Sequence, residues 1–415
     1  MKVSNRNIKY HIDAHHHGLY VKEARLRQGY KLAEVANNIC DTSYLSKIES
    51  GRLIPSPEIF EKISERLNLE FPPEERLCPM DVFKDAMYEE NMAIIDEHMS
   101  KNECHHYERQ LIEFFRAVLD DVRDVARKIK AHVDQFQSHL SAKEESIYLL
   151  FVGLYSLKRY KWKEAEHAFK QALALAAVTK EKDPYLLMTL GQYYFKVGKM
   201  CLGFSYMEDA IVEFKRVFAR KWVFHCEIML CLEYLQVGNV TAVKDKLDMI
   251  KRLIEPGEKD LKKNIYYTLV AAVYEHEQKF ILADDYYERS VAFVDGKRDE
   301  RALIAQIAYL YRRQNYENML KLVYTIDQTT VSELTRLMID FYAYKATDPL
   351  SGDFEAFLRK DAIVYADKTL DYRHMDLFTK ELSSYHRHKM SHRKVAEAYY
   401  RWEQFCLTLE SVERI

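Results

Sequence analysis

One spacing, met five times, constrains this chain more than any other feature. Gly153 is followed by Ala165, Phe169 and Ala172; Gly191 by Gly203, Met207 and Ala210; Cys231 by Val243, Leu247 and Ile250; Ala271 by Ala283, Tyr287 and Ser290; Ala308 by Leu320 and Tyr324. The offsets are 12, 16 and, where a third residue is present, 19, and the starting residues advance by 38, 40, 40 and 37. Four of them have a tyrosine three positions on: Tyr194, Tyr234, Tyr274 and Tyr311. A unit of this length holds two amphipathic helices joined by a short turn. One such hairpin cannot bury both faces, so neighbours must stack, with small residues admitting close approach and aromatics filling the gaps. Gly153, Gly191, Ala271, Phe169, Tyr194, Tyr274 and Tyr287 are therefore packing residues. Two weaker hairpins follow, near Phe341–Tyr344 and Leu382–Tyr385.

Composition agrees with a helical chain. There are 11 Gly and 8 Pro in 415 residues, which leaves few tight turns. The length calls for more than one cooperative unit. A net charge of −2 excludes a generic polyanion binder. Seven scattered cysteines, none in C-x-x-C, suit buried thiols in a reducing compartment rather than a disulfide framework. No apolar run reaches membrane-spanning length and no secretory signal opens the chain, so a cytoplasmic location with no membrane partner is expected. No phosphate-cradling glycine loop, H-E-x-x-H or nucleophile elbow is found. No enzyme activity, cofactor, catalytic residue or metal site is predicted. His105–His106, near Glu103 and Glu108, read as helix surface.

The N-terminal part has a different grain. Residues 1–18 are His-rich (His11, His15, His16, His17) without helical periodicity, and read as a flexible arm. Residues 19–70 form four short helical stretches: about Tyr20–Gln28, ended by Gly29; about Lys31–Ile39; one from the capping residues Asp41–Thr42–Ser43 to Ser50, ended by Gly51; and one after Pro55–Ser56–Pro57. Ala36 is small where two helices cross, and Ile39, Leu45 and Ile48 fill a small core. Thr42, Ser43, Tyr44, Ser46 and Lys47 remain on the other faces, in the half of a helix-turn-helix that enters the major groove. Between Tyr20 and Arg52 the basic residues exceed the acidic by two. Residues 71–79, around Phe71–Pro72–Pro73, read as a linker. Residues 80–140 are long amphipathic stretches, and 80–415 form the helical-repeat domain.

The run Ser46–Lys47–Ile48–Glu49–Ser50–Gly51, followed by Pro55–Ser56, resembles the S-x-I-E-x-G…P-S signature of the Xre/Cro family of helix-turn-helix domains. The repeats resemble tetratricopeptide repeats, well over 144–325 and loosely over 330–410. They depart in having a spacing above the usual 34 or so, no Trp opening the first helix and no Pro after the second. The combination resembles the RRNPP regulators, peptide-pheromone receptors of Gram-positive bacteria.

That resemblance implies an all-α fold, a helix-turn-helix domain followed by a right-handed superhelical array of tetratricopeptide-like hairpins. It implies a quorum-sensing transcription regulator that binds double-stranded DNA and a short signalling peptide, as a homodimer on paired half-sites. Lys31, Thr42, Ser43, Tyr44, Ser46, Lys47 and Arg52 are the expected DNA contacts. Lys31 and Leu32 stand where the family often has Ser/Thr then Gln, so the cap and the Gln contact do not carry over, and Lys31 is left to meet phosphate. Arg25 and Glu49 are the implied salt bridge between the first and third helices.

In the array, first helices line the concave face. Expected peptide contacts are Gln192, Lys196, Gln236, Asn264, Thr268, Tyr309 and Arg312, because amides offer the donor and acceptor an extended backbone needs. Two other readings use the same chain: a protein-interaction regulator whose region 80–140 binds a phosphorelay response regulator, or a repeat scaffold whose first domain only dimerises.

Overall fold

The computed structural model describes residues 17–69, 79–89, 91–100, 106–137, 140–179, 182–254, 261–292 and 298–413. These are helical throughout, with no strand among them. The chain divides into two compact units, residues 1–182 and 183–415.

The first unit opens with α1 (His17–Arg27), α2 (Leu32–Ala36), α3 (Thr42–Glu49) and α4 (Pro57–Arg66). Residues 1–16 of the expected arm lie outside the described residues. The arm was expected to reach residue 18, but α1 already begins at His17 and Gly18 is buried. A Cβ on Gly18 would lie 1.9 Å from the Ile48 carbonyl oxygen, so α1 crosses α3 where only glycine fits. Val21, Ala24, Val35, Ala36, Leu45, Ile48, Phe60, Ile63 and Leu67 form one buried core, with Ile39 packed at its margin. The expected linker 71–79 lies outside the described residues except for Pro79, which starts the next helix.

Six more helices complete this unit: α5 (Pro79–Tyr88), α6 (Ala93–Ser100), α7 (His106–Leu119), α8 (Arg123–Val133), α9 (Ala142–Leu157) and α10 (Trp162–Thr179). The amphipathic stretch 80–140 is thus four helices. Phe115 stacks on Phe151 at 4.4 Å and meets Phe83 at 5.2 Å, which ties α5, α7 and α9 together. The pair α9–α10 is the first repeat. The Phe169 ring lies 2.3 Å from where a Gly153 Cβ would be, so this glycine is a packing requirement.

The second unit is six more hairpins: α11 (Pro184–Lys196) with α12 (Met200–Arg216), α13 (Arg220–Gln236) with α14 (Val240–Leu253), α15 (Leu261–His276) with α16 (Phe280–Ser290), and α17 (Glu300–Arg312) with α18 (Tyr316–Tyr324). Then α19 (Glu333–Thr347) pairs with a broken second arm: α20 (Gly352–Phe357), a π-helical turn Leu358–Ala362 and α21 (Ile363–Lys368). Finally α22 (Tyr372–His388) pairs with α23 (His392–Glu413). Anchors of the middle repeats pack as the spacing requires, with Cys231, Val243, Ile250, Ala271 and Ala283 fully buried, but in the fifth unit the expected Tyr324 is 81% exposed and Met319 and Val323, each one residue earlier than expected, take the buried places.

The hairpin turns share one geometry. Tyr160, Gly198, Gly238, Gln278, Gln314 and Met390 all have left-handed φ between 54° and 81°. The amide after each bonds a carbonyl five residues back, as in Lys199 to Tyr194 (2.8 Å), Asn239 to Tyr234 (2.8 Å) and Lys279 to Tyr274 (2.9 Å). This is the Schellman end of a helix, which satisfies its last carbonyls. The tyrosines of the repeat thus lend their backbone to the turn as well as their rings to the core.

Candidate nucleic-acid interface and inner helix faces

Helix α3 is set by its ends. Asp41 caps it, its Oδ1 accepting the Tyr44 amide at 2.7 Å. At the other end Gly51 (φ 68°) and the Arg52 amide, bonded to the Lys47 carbonyl at 2.9 Å, close the last turn. Leu45, Ile48 and Glu49 point inward, which leaves Thr42, Ser43, Ser46 and Lys47 exposed on one helix. Lys31 before α2 and Arg52 after α3 are exposed too. Tyr44 is half-buried and packs at the margin of the core, so it presents only part of its ring.

Three contacts hold this head together. Arg25 grips Glu49 with two bonds, Nε to Oε1 at 2.6 Å and Nη2 to Oε2 at 2.8 Å, and gives Nη1 to the Tyr30 carbonyl. Such a fork is geometrically specific, and here it fixes α1 to α3 as the resemblance implies. At the start of α2 the missing hydroxyl cap is offset from the other side: Glu34 Oε2 accepts the Lys31 amide at 2.6 Å. The third contact has no signature in the sequence. Arg66, at the end of α4, donates Nη1 to the carbonyls of Val35 (3.0 Å) and Glu34 (3.3 Å) and also to that of Asn37. The helix expected over 31–39 ends early for this reason. Arg66 takes the carbonyls of the last turn, and Asn38 turns left-handed at φ 60°.

In the second unit the seven expected contact residues do not share one environment. Gln192 and Lys196 are half-buried one turn apart on α11. The Gln192 amide meets His225 Nε2 of α13 at 3.2 Å. Burial lowers the Lys196 ammonium from its usual value, partly offset by the charge of Asp371. Gln236, at the end of α13, is exposed. Arg312 lies against Glu275, Nε to Oε1 at 2.8 Å and Nη2 to Oε2 at 2.9 Å.

The other three are buried, contrary to the expectation of open positions. Asn264 Nδ2 donates to the Ala292 carbonyl at 2.7 Å, tying off the chain just past α16. Thr268 bonds back to the Asn264 carbonyl within α15. Tyr309 stacks on Tyr287 at 4.4 Å and donates to Asp284 at 2.7 Å. Each spends its polar group on the chain itself, because the hairpin spacing places it at a helix contact rather than between contacts.

Two residues missed in the sequence sit beside Gln192. Trp222 packs edge-on against Tyr185 (5.2 Å) and His225 (5.9 Å) and stacks on Phe214. The half-buried positions Trp222, His225 and Met229 and the exposed Gln236 follow helical spacing along one face of α13, which is the signal that could have found them.

Comparison with known proteins agrees with this arrangement. Residues 21–72 match the model of the helix-turn-helix family HTH_3. The chain is 22% identical over 408 residues to the transcriptional activator NprA of Geobacillus stearothermophilus, covering 88% of this chain and 97% of that protein. Its fold is similar to that of the apo quorum sensor NprR from B. thuringiensis, with a TM-score of 0.58 and 15% identity over 78% of this chain and 96% of that one. It is equally similar to NprR in complex with its cognate peptide NprX, with a TM-score of 0.58 and 16% identity over 77% of this chain and 97% of that one. This chain thus joins a domain that matches the helix-turn-helix family HTH_3 to a helical-hairpin fold similar to that of NprR.

Proposed function

We propose that this protein is a cytoplasmic transcription regulator that binds double-stranded DNA through α3 and is controlled by a short signalling peptide held on the first-helix faces of the array. The observation that carries this reading is the exposed row Thr42, Ser43, Ser46 and Lys47 on a well-capped helix, in one chain with the hairpin array. Thr42, Ser43 and Ser46 meet base edges or phosphates. Lys31, Lys47 and Arg52 meet phosphates, which supply affinity without sequence choice. For the peptide, Gln192, Lys196, Gln236 and Arg312 are the proposed contacts, with Trp222 and His225 beside them. That NprA is a transcriptional activator and that NprR was solved with its cognate peptide support the reading.

A single helix-turn-helix module covers little DNA, so a homodimer on paired half-sites belongs to the same proposal. The exposed Tyr399, Tyr400 and Leu407 of α23 support a second copy at the end of the array.

The test is a mobility shift on DNA from upstream of the chain's own gene and its neighbours, at low salt, with and without peptides from spent medium of the source bacterium. A sequence-selective shift that changes with the peptide fraction is expected. Absence of any shift across low-salt conditions would overturn the proposal.

A further inference from the structure

Helix α1 is buried on two sides. Val21 and Ala24 enter the core of the helix-turn-helix domain, and Arg25 binds Glu49. Tyr20, 7% exposed, turns the other way, and its ring meets that of Tyr107 on α7 at 5.9 Å. Tyr107 is 1% exposed. Its ring stands edge-on to Phe136, just past α8, and its hydroxyl donates to Glu144 Oε1 on α9 at 3.2 Å. Glu144 is itself fixed: Oε2 accepts both the amide (2.9 Å) and the hydroxyl (2.7 Å) of Ser141, the cap of α9. Burial, and next the Glu144 charge, hold the Tyr107 phenol well above its ordinary range, so it stays a hydrogen-bond donor. At the edge of this contact Lys22 Nζ donates to the Gln135 carbonyl at 3.3 Å.

A helix that is apolar on opposite sides must be covered on both. The second cover here belongs to α7, α8 and α9, and α9 is the first helix of the first repeat. We infer that Tyr20, Tyr107 and Glu144 are positioning residues for the DNA-reading head: they bolt α1 to α7 and α9, so that α3 is carried as one piece with the first repeat. The head then has no independent swing. Any ligand that redirects it does so by moving α7–α9, and the separation of two heads in a dimer is set by that layer. The mechanical part stands on these contacts alone. The consequence for DNA rests on the proposed function.

The two parts are tested separately in the full-length chain. Gln135→Glu puts a carboxylate on the residue whose backbone carbonyl Lys22 Nζ reaches, and carbodiimide coupling followed by peptide mapping reads whether the head is seated. Coupling of Lys22 to position 135 is expected, with at least a tenfold loss when Tyr20→Ala is added. Amide exchange should then rise at least tenfold at 19–22 while 45–49 stays protected, because the domain's own core and the Arg25–Glu49 fork are untouched. Tyr107→Phe keeps the rings and removes the bond to Glu144, so exchange should quicken at 141–145 with the coupling retained. No coupling in the Gln135→Glu chain, coupling unchanged when Tyr20→Ala is added, or loss of protection at 45–49 along with 19–22 would each overturn the mount. For the DNA consequence, Tyr20→Ala should leave binding to a single half-site within about twofold and weaken binding to paired half-sites about tenfold or more. Equal loss on both, with the mount shown by coupling, would overturn the positioning role and leave DNA binding itself standing.

Discussion

Arg373, the second residue of α22, forms an ion pair with Glu233 in the last turn of α13. Glu233 is almost wholly buried. Beside it the Tyr372 ring lies 2.6 Å from where a Cβ on Gly198 would be, so the turn after α11 must be glycine to admit it. Asp371 adds its charge to Lys196 at the end of α11. Three successive residues, Asp371 to Arg373, thus fasten the last hairpin to helices far earlier in the sequence. Cutting one partner of a buried pair leaves the other charged and unsolvated. Arg373→Ala should therefore cost about 3 kcal/mol, the low end of that range because Arg373 keeps some exposure. The paired change Glu233→Gln with Arg373→Met should restore most of it. Denaturant unfolding of the four members of this cycle checks the coupling.

The same fastening responds to acid. Burial pushes Asp371 up, but the nearness of His374 (Nδ1 2.9 Å from Oδ2) and the charge of Lys196 hold it below the usual carboxylate range. A carboxylate with a lowered native pKa contributes stability that is present above its unfolded value and lost as pH falls through the native one. The contribution should be constant at neutral pH and fade only below about pH 4. Unfolding free energy measured from pH 6 to pH 2 should fall less steeply in Asp371→Asn than in the parent over the acid end.

Arg66 offers a test of the head that leaves its core alone. Arg66→Ala removes the donor shared by three carbonyls before the turn into α3, while Phe60, Ile63 and Leu67 keep α4 in place. About 1–2 kcal/mol of domain stability should be lost. DNA affinity should fall about tenfold, the equivalent of about 1.4 kcal/mol. Circular dichroism at 222 nm separates loss of fold, which is not expected, from loss of fit.

Phe218 sits 90% exposed in a left-handed conformation (φ 55°) in the turn between α12 and α13. A side chain there costs about 1–2 kcal/mol against glycine, part of which glycine returns through the freedom of the unfolded chain. Phe218→Gly should raise stability by about 0.5–1 kcal/mol, seen as a higher melting temperature.

The proposed phosphate contacts carry a salt signature. Lys47→Ala and Arg52→Ala should each weaken DNA binding similarly on all sequences and reduce the slope of log K against log salt by about 1. Thr42→Ala or Ser43→Ala should change sequence preference and leave that slope alone. Titrations at several salt concentrations distinguish the two kinds of residue.

The parts of this structure legible in the sequence are those whose cause is local or periodic. The offsets from Gly153, Gly191, Cys231 and Ala271 foretell the hairpins because each small residue must admit a side chain of the following helix, as Gly153 admits Phe169 and Gly191 admits Met207. The third helix was legible because Asp41 and Gly51 mark its ends. The Arg25–Glu49 fork came only from a resemblance. Other features leave no such mark. Tyr160, Gln278 and Gln314 take left-handed turns without glycine, since the Schellman bonds and the packed helices on either side impose the conformation. Asn264 reads as an open amide until the end of the next helix is known to bring the Ala292 carbonyl against it. Trp222 and His225 belong to a face defined by which neighbours stack on α13, and Arg373 finds Glu233 only once the hairpins are assembled.

Arg66 holds the turn before α3 through main-chain oxygens, which every residue type provides. The letter at the exposed Asn37 can therefore be rewritten over generations without unseating the helix that follows, so long as the clamp on the far side survives, whereas the left-handed Asn38 and the core-packed Ile39 and Cys40 are held by their own surroundings. Under the proposed function, a lineage can in this way explore new operators by editing the exposed positions of α3, with the angle of presentation inherited unchanged.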